Sequence, residues 1–278
     1  MTTPIHYLRE KLKQMLPNDK YHLYHWTSFE AAQSIIKDGY LLSKAMLFAK
    51  HYYDNPALLK KLKPQDVISE ANNGFIDYVF LGNTNWQNYN GKSFYGEIGF
   101  VIKPEEILPT REFFVFPFNT GRYFSKQPDI EKTSDIRTLM EALNGLHSSF
   151  EILVRRRIKI TQKTTSQIIC SGVYEDKLKK VLSDEKLVIP IERITESSYM
   201  NKESIVLIDP LDNEGKEITL QADKYVRDNN YFYVKTELSN CILSLELNNS
   251  NELIDIYTKK KVGRFIKEIP TLFNGPNQ

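Results

Sequence analysis

From Phe150 to Ile160 apolar and polar residues alternate with a period of two, and no other run constrains the fold as strongly. Phe150, Ile152, Val154, Ile158 and Ile160 make one apolar face, with Arg156 the exception, so the spacing predicts a long strand with one side in a core. Glu151, Leu153, Arg155, Arg157 and Lys159 point the other way. A carboxylate followed on its own face by three cations reads in two ways. It is a solvated edge, or it lines a cleft that holds an anionic ligand.

Around this strand the chain alternates between helical and extended patterns. Thr3-Pro4 opens an amphipathic helix carrying Ile5, Leu8, Leu12 and Met15. Tyr21 to Trp26 reads as a short aromatic strand, and Thr27-Ser28-Phe29-Glu30 has capping-box spacing before a helix that Gly39 ends. Residues 45–73 are mainly helical. Extended runs follow at Ile76 to Leu81, Phe94 to Ile102 and Glu112 to Phe118, with a helix capped by Ser134 and running to about Leu143. After the central strand come a strand at Thr165 to Cys170, a helix from Tyr174 to Leu182 and a strand at Leu187 to Ile191. From about residue 196 short β segments alternate with polar turns, which predicts an α+β unit over 1–195 and a β-rich extension over 196–278.

Composition closes off several classes of function. Lys and Arg number 37 against 35 Asp and Glu, so no global basic field exists and any nucleic-acid contact is a local patch. Two cysteines, Cys170 and Cys241, supply neither a disulfide framework nor a thiolate zinc site, which fits a reducing cytoplasm. No stretch approaches the roughly 20 apolar residues of a membrane span. Metal and membrane chemistry are therefore not expected. His25 on its strand and Thr27 as an N-cap both have ordinary structural explanations, the latter through a hydroxyl bond to the Glu30 amide.

The order of these segments resembles the ADP-ribosyltransferases, and within them the DarT-like bacterial toxins that modify nucleic-acid bases. Tyr24-His25-Trp26-Thr27 with the Ala32 to Leu42 helix looks like the family's His-x-Thr strand and following helix, Asp77 to Phe80 like its next strand, and Phe150 to Val154 like its glutamate strand. Coverage is roughly residues 20–195. The resemblance implies a split β-sheet core with flanking helices, NAD as substrate, and Glu151 as the carboxylate that stabilises positive charge on the ribose as nicotinamide leaves. It implies His25 at the adenosine-side ribose and Thr27 behind the nicotinamide amide contacts. A ring is expected to stack on nicotinamide, and of Tyr78, Phe80, Tyr89 and Tyr95 the first is preferred. The segment before Glu151, with Arg122, Tyr123 and Lys126, occupies the place of a target-recognition loop and suits unpaired nucleotides, unless it is an ordinary surface loop.

This chain departs from the DarT pattern in having no arginine between Arg9 and Arg111. Lys44, Lys50 or Arg122 must then meet the NAD phosphates or the acceptor, or the substrate differs. Ser149, two residues before Glu151, stands where arginine-modifying relatives carry an acid, which disfavours an arginine acceptor. The expected function is a mono-ADP-ribosyltransferase toxin or defence effector acting on a base of single-stranded RNA or DNA, restrained by an antitoxin protein. Two other readings stand beside it. One is an RNA 2'-phosphotransferase-like enzyme, against which Glu151 argues; the other is a non-catalytic binding module with Glu151 on a solvated face.

Overall fold

The computed structural model describes residues 4–51, 64–83, 95–117, 120, 135–145, 150–194, 203–208, 216–221, 225–228, 230–235, 242–256 and 259–267. Seven strands form the first sheet: β1 (Leu23–Thr27), β3 (Tyr78–Gly82), β4 (Ile98–Ile102), β5 (Phe113–Phe116), β6 (Glu151–Arg155), β8 (Thr165–Ser171) and β9 (Ile191–Ile194). Their order across the sheet is β5-β6-β3-β1-β4-β8-β9, antiparallel throughout except for β8 with β9. Leu23, Leu81, Phe100, Ile152 and Ile168 send fully buried side chains into one continuous core. Helices Phe29–Asp38 and Gly172–Asp184 cover it with Ala32, Ile36 and Leu178, and Phe29 stacks on Tyr174 at 4.9 Å. This is the mixed α+β architecture expected from the sequence, with a further β-rich region after it.

The sheet is split. β1 keeps full register with β4, from Leu23 opposite Ile102 to Thr27 opposite Ile98, and β3 keeps full register with β6. Between β1 and β3 there is one rung, Tyr24 opposite Gly82. At the far end of β1 the chain segment before β4 crosses so closely that a Cβ on Gly96 would lie 2.1 Å from the Thr27 carbonyl oxygen.

Four local expectations need correction. Asp135, not Ser134, caps the helix Ile136–Leu143, its carboxylate accepting from the Arg137 and Thr138 amides. Ser28, not Thr27, caps the helix Phe29–Asp38, its hydroxyl accepting from the Ala31 amide at 3.3 Å, because Thr27 is still held in the β1–β4 ladder. Gly39 does end that helix in the left-handed conformation. The run from Phe150 to Ile160 is not one strand: Arg156 adopts φ 66°, and the chain turns there into β7 (Arg157–Lys159), which pairs with β2 (Tyr40–Leu42). The one polar residue on the apolar face is thus the break, and the predicted row of three cations beside Glu151 does not form. The strand predicted at Leu187 to Ile191 begins only at Ile191.

Strands β10 (Glu203–Ile208), β11 (Glu217–Gln221), β12 (Tyr225–Asp228), β13 (Tyr231–Lys235), β14 (Ile242–Leu247), β15 (Glu252–Asp255) and β16 (Lys261–Lys267) make a second, antiparallel sheet in the order β11-β10-β16-β15-β14-β13-β12. It curls strongly, since the Phe232 and Phe265 rings meet at 5.3 Å although β14 and β15 lie between their strands. Phe232 and Val234 face its own interior, while Tyr233, fully buried, packs against Trp26, Val101 and Ile169 of the first sheet. Among the described residues no helix is long and apolar enough to cross a membrane. Removing an aromatic ring from so tight a seam costs on the order of 3–5 kcal/mol. Tyr233→Ala should accordingly lower the urea midpoint of unfolding without changing the fold; a loss under about 1 kcal/mol would mean that the seam contributes little.

Candidate active site

β3 lies between the two key side chains of the split, Glu151 on β6 and His25 on β1. Its Gly82 stands opposite Glu151 on one side and Tyr24 on the other. Two residues back, the Phe80 carbonyl lies 3.0 Å from His25 Nδ1. A carbonyl only accepts, so Nδ1 carries the hydrogen and Nε2 of the neutral ring is left as an acceptor. Burial holds His25 below its ordinary 6.5, the bond to Phe80 pulling weakly the other way, so the neutral ring is the dominant form at neutral pH. Because Phe80 turns its carbonyl toward β1, antiparallel geometry turns the peptide groups of Trp26 toward the β3 side, where the ladder has ended. A carboxylate on β6 and a neutral imidazole on β1 therefore sit on the two strands that flank β3, with neighbouring strands about 5 Å apart.

Glu151 is the most perturbed acid here. Burial raises its carboxyl from 4.5 to about 7. Thr120 opposes this, donating both its amide and its hydroxyl to Oε2 at 2.7 Å. Two further charges act on it: Glu70 pushes the carboxyl up and Lys44 pulls it down. Lys44 and Glu70 are themselves an ion pair between helices Lys44–His51 and Pro64–Asn72. A solvated-face role for Glu151 does not survive, since the side chain is partly buried and hydrogen-bonded.

The structure separates other expected site residues. Tyr78, 7% exposed, lies opposite Arg155 at the other end of β3, about 13 Å from Gly82 by strand rise. Its hydroxyl donates to Glu112 at 2.7 Å and its ring packs on Phe114 at 5.2 Å, and burial with the Glu112 bond pushes that hydroxyl above its ordinary range. Phe80 stands nearer, two residues from Gly82 and on the same side of β3 as Glu151's row. Thr27 ends β1, freed from capping. Lys50 is paired with Asp38, and Arg155 with Glu112 and Asp77. Arg122, Tyr123, Lys126 and Tyr89 lie outside the described residues. Among the described residues no group of three His, Cys, Asp or Glu is placed to hold a metal ion. Sequence reasoning missed Thr120, Glu70 and the Trp26 peptide groups. The first two sit 31 and 81 residues from Glu151, and only the fold brings them to it.

No protein-family model and no curated protein sequence matches this chain. Solved structures of DarT from Thermus sp. 2.9 are similar to it: the complex with carba-NAD+ at 16% identity and TM-score 0.41, covering 64% of this chain and 97% of that one. The complex with ADP-ribosylated single-stranded DNA has 15% identity and TM-score 0.44, covering 64% and 95%, and the NAD+ complex 14% and 0.38, covering 64% and 96%.

The raised Glu151 carboxyl makes stability depend on pH with a definite sign. Between about 4.5 and 7 the folded protein holds a proton that the unfolded chain has released, so this group's contribution is greatest at low pH and is lost as pH rises through 7. Glu151→Gln, whose amide oxygen can accept both Thr120 bonds, removes the burial of charge. Its free energy of unfolding should match the parent near pH 5 and exceed it at pH 8, by up to about 3 kcal/mol at about 1.4 kcal/mol per pH unit. An equal or lower stability of the variant at pH 8 would show that the carboxylate is not strained by burial.

Proposed function

We propose that this chain is a mono-ADP-ribosyltransferase that cleaves NAD and passes ADP-ribose to a base of single-stranded DNA or RNA, serving as a toxin or defence effector held in check by a partner protein. The observation that supports it most is the placement of Glu151 and His25 on either side of β3, at the end of the single rung that splits the sheet. The His-x-Thr and glutamate-strand motifs agree with it.

Each group has a task in that chemistry. The bond between ribose C1' and the nicotinamide nitrogen breaks, nicotinamide leaves as a neutral ring, and positive charge develops on the ribose. Ionised Glu151 stabilises that charge through the ribose hydroxyls. The peptide groups of Trp26, with Thr27 beside them, offer a donor and an acceptor for the nicotinamide carboxamide. Nε2 of neutral His25 accepts from a hydroxyl of the adenosine-side ribose. A nitrogen of the acceptor base then forms the new bond to C1' and releases a proton to solvent or to Glu151. Lys44, tied to Glu70 yet acting on Glu151, supplies positive charge on the side where the NAD phosphates are expected. Arg122, Tyr123 and Lys126 would meet the acceptor strand by phosphate contact and stacking.

Incubation with labelled NAD beside single-stranded DNA, RNA and protein identifies activity and acceptor together. Label should enter nucleic acid, with EDTA causing no loss, and Glu151→Gln should lower transfer by a factor of 100 or more, as loss of electrostatic stabilisation does elsewhere. The ionised carboxylate being the working form, kcat/KM for NAD should rise with pH through a limb near 7. Unimpaired transfer by Glu151→Gln, or restoration of EDTA-lost activity by Mg²⁺ or Zn²⁺, would remove this reading.

A further inference from the structure

We propose that Thr120 is the positioning residue of this site, holding one oxygen of the Glu151 carboxylate through its amide and its hydroxyl so that the other remains available to a ligand. The identity of that ligand, the ribose of NAD, rests on the function proposed above; the positioning itself does not.

Both Thr120 donors converge on Oε2 at 2.7 Å, and Thr120 is 4% exposed. Two donors on one oxygen from a buried residue fix the rotation of the carboxylate plane, which a single flexible donor would leave loose. Among the described residues no hydrogen bond reaches Oε1, so the fixed plane presents that oxygen. Among the described residues the charged groups acting on Glu151 are Lys44 and Glu70, which are bound to each other and act in opposite directions, each less than the Thr120 bonds. The Thr120 bonds are therefore the main influence favouring the ionised carboxylate against burial. Thr120 precedes the segment with Arg122 and Lys126, so the stretch expected to read the acceptor begins at the residue that orients the carboxylate.

Thr120→Val keeps shape and amide but removes the hydroxyl, and Thr120→Ser restores it. Carbon NMR of Glu151, assigned through the signal that Glu151→Gln lacks, should show the carboxyl titration midpoint moving up by about one pH unit in the valine protein, the size of one hydrogen bond, and little in the serine protein. The acid limb of kcat/KM for NAD should move by the same amount, with kcat/KM at pH 7 falling about fivefold. Thr120→Ala gives the same comparison if valine is not accommodated. An unmoved midpoint in a folded hydroxyl-free variant overturns the proposal whatever the activity. A moved midpoint in a protein that never consumes NAD supports the positioning role and removes the transferase reading instead.

Discussion

The ladder between β1 and β3 stops after the Tyr24–Gly82 rung, and the candidate site depends on that interruption. Were pairing to continue, the Phe80 carbonyl would accept a strand amide and the peptide groups of Trp26 would be consumed by the sheet. Ending the ladder leaves polar backbone inside the protein, which is costly unless something binds it. The His25 ring answers part of that demand by donating to Phe80. The same bond sets the tautomer and leaves an acceptor nitrogen, so the interaction that makes the split tolerable also gives it chemical character.

Burial acts on the two ionisable groups of the split in opposite directions along the pH scale, lowering His25 and raising Glu151, and in both cases it favours the uncharged form. A site so arranged is nearly neutral when empty. Thr120 and Lys44 counter the effect at Glu151 alone, so the carboxylate is the one group that stays close to ionisation. Structural ion pairs also shift ionisation elsewhere in this chain, but those at Arg155, Lys179 and Glu252 lie on exposed surface and involve complete pairs. What distinguishes Glu151 is a charge sheltered from water and held by neutral donors.

Much of the first sheet was legible in the sequence, because alternating runs such as Ile152 to Val154 can satisfy a half-buried strand and little else. Where reading failed, two local options were nearly equal. Thr27 and Ser28 both suit a helix cap, and only the cross-strand partner Ile98 decides that Thr27 stays extended. Arg156 stood out as the wrong residue on an apolar face, yet nothing local revealed that it would take a left-handed conformation, with its carbonyl accepting from the Ser43 amide at 2.7 Å. His25 and Glu151 came from motif resemblance. Thr120 had no signal at all, since a threonine in a long irregular stretch looks the same whether it meets water or a carboxylate. Tyr78 was favoured for being aromatic and on the right strand; the register with Arg155, which sets its distance from Gly82, is a long-range property.

The seam formed by Tyr233 has a consequence for biosynthesis. β1 lies near the start of the chain, and the ring that covers the back of Trp26 lies more than 200 positions later. During translation, which runs from the N-terminus, the first sheet can be assembled while Trp26, Val101 and Ile169 still face solvent. A nascent chain at that stage carries every residue of the candidate site and a bare aromatic surface behind it. Synthesis of the strand bearing Tyr233 is what closes that surface, so the strand bearing His25 gains this support only after more than 200 further residues have been made.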